Sequence, residues 1–227
     1  MIQQLQDPLK QLSEIFKPDD RQTFLTESLE DIHAQLSCLV LHDGVPVDVA
    51  QLFETAKNVR LYAHFAFRFH QVAEMVAYQA LEFSLRERWR LDEQLVATTE
   101  QRPENNPPHG LKKLLKHAAD VGWLRNEAFS GRRWRAYNAI MSQRTAKALS
   151  SSELLVNKSV SITEPTEAEI EEFAKNIDVV ELVLNCLPQF RNNLAHGSSM
   201  LVPGNMGLLQ DVCDILNMLF EKNGEQA

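Results

Sequence analysis

Four side chains near the C-terminal end of the chain have the types and spacing for phosphodiester chemistry: Arg191, Asn192, Asn193 and His196, set in the run Leu187-Pro188-Gln189-Phe190-Arg191-Asn192-Asn193-Leu194-Ala195-His196-Gly197. On a helix Asn192 and His196, four apart, share a face, as do Asn193 and His196 at three. Arg191 is five residues from His196, about 140° round the barrel, and only its length lets it swing to the same pocket. Cleaving RNA without a metal requires a base for the 2′-hydroxyl, charge relief on the phosphorane and an acid for the departing 5′-oxygen. An imidazole fills either proton-transfer role near neutral pH. A guanidinium offers paired donors to the non-bridging oxygens. His196 is therefore assigned as general acid/base, Arg191 as transition-state stabiliser and Asn192 as a positioning donor, with Asn193 in support. The expected products carry a 2′,3′-cyclic phosphate and a 5′-hydroxyl. One protomer holds a single His196 in this motif, so a two-fold axis near it, presenting His196 and Arg191 twice, is the physical reason to expect a homodimer.

The same spacing has a plainer reading. Arg191 can be a solvated helix charge, and His196 a residue of the last turn, where the helix dipole favours a cation and Gly197 provides the left-handed stop. Pro188 lacks an N–H and crowds the preceding turn, so a kink there would re-aim the turn and a half that follows.

The full string adds weight to the first reading. Phe190-Arg191-Asn192-Asn193-Leu194-Ala195-His196-Gly197 resembles the R-N-x-L-A-H-G form of the R-x4–6-H motif of HEPN (higher eukaryotes and prokaryotes nucleotide-binding) domains. Ala80 to Arg88 resembles the long central helix of such domains, and Gly110 to Leu115 the short helix that follows it in some members. The resemblance spans residues 60–222 and implies a helical bundle, homodimerisation and metal-independent RNA cleavage at a site shared between protomers. It also implies a toxin or phage-defence effector held in check by an antitoxin protein, with no cofactor and no metal. The alternative within the same resemblance is a non-catalytic module that binds nucleotide, RNA or a protein partner.

The elements that must position these residues read as all-α. Leu9, Leu12, Ile15 and Phe16 predict a helix over 7–16, and Asp19 or Asp20 caps a second that runs to Leu41. From Val47 to Thr98 the apolar pattern is helical almost without interruption, too long for one globular helix, which predicts a break near Asn58. His64 and His70 within it are off a shared face and read as core rather than metal ligands. Glu82 on this apolar helix requires a partner; Arg86, four residues on, supplies one, and orienting an active-site cation is a second role for the same carboxylate. A loop over 101–109 leads to an amphipathic helix carrying Lys112, Lys113 and Lys116 on its outer side. Gly122 closes it, and a further helix from Trp123 carries Arg132, Arg133 and Arg135, interleaved with Trp134 and Tyr137. Thr166 starts a last long helix that delivers the chain to the motif, and Leu208 to Phe220 closes the bundle. Residues 1–60 are expected to be an N-terminal helical extension and 61–222 the HEPN-like bundle, the two forming one compact unit.

Charge is distributed unevenly. The chain is −8 overall, yet residues 102–147 hold ten Lys/Arg against three Asp/Glu, a +7 block in a remainder of −15. Such a block is the footprint of a polyanion, with Lys112, Lys113, Lys116, Arg132, Arg133 and Arg135 as the expected RNA-binding set. A solvated helix face balanced by acidic neighbours produces the same composition. Cys38, Cys186 and Cys213 are odd in number and form no CxxC, so they read as reduced core residues of a cytoplasmic protein. Met1 to Asp7 shows no basic start or apolar run, so no signal peptide is expected, and the apolar stretch 61–83 is too interrupted by charge to be a membrane span.

Overall fold

Ser28 starts the first α-helix of a computed structural model that describes residues 9–25, 27–97, 108–150, 161–197 and 206–221. Its hydroxyl accepts the Asp31 N–H while the Asp31 carboxylate accepts the Ser28 N–H, a closed capping box for α1 (Leu29–Ser37). Pro46, with its φ preset, precedes α2 (Val47–Tyr62), and the chain turns over residues 63–68 into α3 (Phe69–Ala97). Gly110 and Gly122, at φ of +86° and +79°, bracket α4 (Leu111–Asp120). Then come α5 (Arg132–Leu149), α6 (Glu167–Lys175) with a Thr166–Glu169 capping box, α7 (Val179–Ala195) and α8 (Met206–Leu219). Among the described residues there is no strand, and no helix is long and apolar enough to cross a membrane. The all-α bundle expected from the sequence is the architecture found.

The core forms around α8. A surface helix keeps one apolar stripe, whereas a helix that is apolar all round has to be enclosed. Leu208, Leu209, Val212, Cys213, Ile215, Leu216, Met218 and Leu219 are all buried, and so are Asp211 and Asp214 between them. α2 and α3 fold back on one another, α8 lies against α3, and α7 lies against both α3 and α4. Ile32, Leu36, Val49 and Phe53 join the same cluster as Leu81, Leu85, Leu115 and Leu216. The boundary expected at 60/61 therefore falls inside α2, whose apolar face is part of this larger cluster. α5 and α6 pair over a smaller cluster of Ala136, Ile140, Ile170 and Ala174.

Several element bounds differ from expectation, each for a physical reason. The helix expected over 7–16 is a single 3-10 turn at Leu12–Glu14 in the described part, with Leu9, Leu12 and Phe16 exposed; a segment that short has little intrinsic stability unless its stripe is covered. The helix expected from Asp19 or Asp20 to Leu41 is a 3-10 turn at Asp20–Phe24 followed by α1, because the Asp19 carboxylate is occupied by Arg21 and the Ser28 box supplies the stronger start. The break expected near Asn58 lies at 63–68 instead, where Asp19 and Gln22 satisfy the backbone of the corner. The helix expected from Trp123 begins at Arg132, after a 3-10 turn at Asn126–Ala128. The last long helix is two, since Asp178 caps a new one. Thr98, the loop at 101–107, the Ser151–Ser152 and Ser159 connection and the Val202-Pro203-Gly204 turn lie outside the described residues.

Candidate functional site

The helix that carries the motif is fixed at its start by a reciprocal side-chain pair. Asp178 Oδ1 accepts the Glu181 N–H at 2.8 Å and the Asn126 amide at 3.1 Å, while Asn126 Oδ1 accepts the Val180 N–H at 3.0 Å. The backbone hydrogen bond from Glu181, with Asn126 beside it, holds the Asp178 carboxyl below its ordinary value. Val183, Leu187 and Pro188 then bury one face of α7. Pro188 lies inside the helix, and its missing N–H leaves the Leu184 carbonyl without its usual intrahelical donor.

Past Pro188 the exposed and half-buried residues separate. Leu194 packs on the core and Arg191 leans towards α3, where its Nη2 meets Glu82 Oε2 at 3.3 Å. Arg86 Nη2 donates to the other oxygen, Oε1, at 2.5 Å. Glu82 is 16% exposed and the two guanidinium side chains are 41% and 43% exposed. One largely enclosed carboxylate thus holds two half-exposed cations, an arrangement that keeps both oriented while leaving donors for an outside anion. Asn192, Asn193 and His196 are exposed. The His196 N–H donates to Asn192 O at 2.9 Å, and Gly197, at φ +81°, donates to Leu194 O at 3.1 Å, so His196 is the C-cap and Gly197 the left-handed stop.

All four motif residues and Glu82 are therefore on one region of α7 and α3, with the amides and imidazole outward and Arg191 drawn towards α3. Among the described residues no side-chain hydrogen bond joins Arg191 to His196. Arg86 is the residue the sequence reading did not place in the site. Its signal was the four-residue spacing to Glu82, which says that the two pair but not that Arg191 shares the carboxylate.

The basic block divides. On α4, Leu111, Leu114, Leu115 and Ala118 are buried and Lys112, Lys113 and Lys116 stand exposed on the opposite face, on a helix that packs against α7. The arginines of α5 are bound within the fold. Arg132 Nη2 donates to Lys175 O at 2.8 Å, Arg133 pairs with Glu167 and Glu171, and Arg135 Nη2 reaches both oxygens of the buried Asp211 at 2.6 and 2.7 Å. Arg144 pairs with Glu169. These arginines join α5 to α6 and α8, and much of their charge is met internally, whereas the three α4 lysines have no such ion pair among the described residues. Trp134 is exposed beside them, whereas Tyr137 donates its hydroxyl to Glu164, which raises the phenol pKa.

Compared with protein-family models, with curated proteins and with solved structures, the chain matches none.

Proposed function

We propose that the chain is a metal-independent endoribonuclease of HEPN type, acting as a homodimer with the Arg191–His196 motif near the two-fold axis. The observation that carries this reading is the shared carboxylate. Glu82 holds Arg191 and Arg86 at one place on the surface, next to the exposed Asn192, Asn193 and His196. In this reading His196 moves the protons, Arg191 stabilises the phosphorane charge and Asn192 positions the phosphate. Two half-sites facing each other would supply one imidazole as base and its partner as acid, giving 2′,3′-cyclic phosphate and 5′-hydroxyl ends. The α4 lysines, on a neighbour of α7, would hold the RNA backbone. A toxin or defence role, with an antitoxin partner, belongs to the same proposal and rests on the motif resemblance alone.

A second reading is favoured by a specific observation. An arginine bound to a carboxylate of a neighbouring helix is also how a structural arginine looks, and the α5 arginines are held in that way. The motif would then stabilise a binding or interaction module. Arg191→Ala separates the two. A catalytic Arg191 predicts RNA cleavage lowered at least a hundredfold with the melting temperature unchanged; a structural Arg191 predicts a lowered melting temperature and no cleavage to lose.

A further inference from the structure

Away from the motif, residues 19–22 lie over the corner between α2 and α3. The Asp19 N–H donates to His64 O at 3.0 Å, Asp19 Oδ2 accepts the Phe67 N–H at 3.2 Å, and Gln22 Nε2 donates to Ala63 O at 2.9 Å. Arg21 grips Asp19 through Nε and Nη2, each at 2.7 Å, and its guanidinium lies 4.9 Å from the centre of the Phe67 ring. Two groups that water would solvate well are enclosed beneath: Arg60, 3% exposed, and His70, 1% exposed. Neither ring nitrogen of His70 has a protein partner; one ring edge is packed against Phe67 with the centroids 4.8 Å apart. Arg60 Nε and Nη1 are likewise without one, and its Nη2 stands 3.8 Å from Glu27. A buried imidazole with no acceptor has nothing to stabilise a second proton.

We propose that residues 19–22 are an acid-sensitive latch, which leaves the α2–α3 corner when His70 takes up a proton while the rest of the core stays folded. The surroundings set the direction. Burial and then the charge of Arg60 disfavour the imidazolium, Asp19 opposes them, and Arg21 adds to them. Glu27 and Glu74 act on Arg60 in turn, and His64, with a buried Nδ1, and Arg68 stand on the corner itself.

His70 is lowered from 6.5 to about 4 in the closed state, so the open state binds more protons below about 6.5. The closed state is therefore fully favoured above that pH and loses ground as the pH falls towards 4, by up to about tenfold in the open-to-closed ratio per pH unit. Asp19 works at a different pH. Its carboxyl is held at about 2, chiefly by Arg21, so its support for the latch persists above 3.8 and disappears only as the pH drops towards 2. Between 6.5 and 4 the slope belongs to His70.

Amide hydrogen exchange on the full-length protein, corrected for intrinsic rates, tests this. The Asp19 and Phe67 amides report the latch and those of Leu216 and Leu219 report the core. The expected result is opening at Asp19 and Phe67 that rises about fivefold to tenfold between pH 6 and pH 5 with the core amides unchanged, and no such rise in His70→Gln. Asp19→Asn should raise opening at both pH 6 and pH 5 and keep the slope, a control that does not depend on His70→Gln folding. The proposal is overturned by a flat profile in the wild type, by the same slope in His70→Gln, by core amides opening in step, or by an imidazole signal of His70 titrating near 6.5 while the latch stays shut.

Discussion

Glu82 and Arg191, 109 positions apart in the chain, meet at 3.3 Å, and the same carboxylate binds Arg86. This junction of α3 and α7 is where the fold commits the arginine of the motif to one orientation. Arg191 lies in the last turns of a helix whose start depends on Asn126 and Asp178 and whose middle is anchored by Leu187 and Pro188.

Replacing Glu82 by Gln removes the charge that holds both guanidiniums. The pair with Arg191 is part-exposed, so solvent screening limits its stability contribution to about 0–1 kcal/mol. RNA cleavage should nevertheless fall tenfold or more, a loss of about 1.4 kcal/mol or more of transition-state stabilisation. Thermal melting and initial cleavage rates, measured on the same preparation, show whether the two effects separate. Equal loss of both would make Glu82 a packing residue.

Changing Lys112, Lys113 and Lys116 together to Gln should leave melting unchanged, because their side of α4 is exposed. If all three neutralise phosphates of single-stranded RNA, the slope of log affinity against log salt should become shallower by about 2. Fluorescence anisotropy of a labelled RNA over a salt series measures it, and an unchanged slope would remove these lysines from the interface.

Arg133 and Arg135, two residues apart, should behave in opposite ways. Arg135 bonds the buried Asp211, and truncating it to Ala would leave that carboxylate enclosed without its cation, at a cost of about 3 kcal/mol. Burial raises the Asp211 pKa against the opposing pull of Arg135. Arg133→Ala, at an exposed pair, should not measurably shift the urea midpoint. Matching losses in the two variants would contradict this division of the basic block.

Gly197 ends α7 at φ +81°, and a Cβ built there meets nothing within 4 Å. The cost of Gly197→Ala is therefore the backbone conformation alone, about 1–2 kcal/mol, and Asn should be tolerated better than Ala. Denaturant midpoints of the two variants, compared at constant m, test it.

The fold class and the end of α7 were legible in the sequence because local signals carry them: apolar residues at helical spacing, and a glycine after the last turn. Glu82 was legible as a carboxylate in need of a cation, but Arg191 as its second partner was not, since that contact joins two helices far apart in the chain. The break after Tyr62 was misplaced for the same reason. What satisfies the 63–68 corner is Asp19 and Gln22, which no local pattern links to it. The α5 arginines read as an open polyanion-binding surface because composition counts charges without their partners. Glu167, Glu169, Glu171 and Asp211 come from helices that follow α5 in the chain.

His196 and Arg191 are proposed to cleave RNA without a metal. Purified protein incubated in EDTA with total cellular RNA and with tRNA, beside His196→Ala made in parallel, tests it most directly. The expected result is cleavage that persists in EDTA, leaves 2′,3′-cyclic phosphate ends and vanishes in His196→Ala with folding intact. Equal cleavage by wild type and His196→Ala, or none from a folded, dimeric wild type, would contradict it.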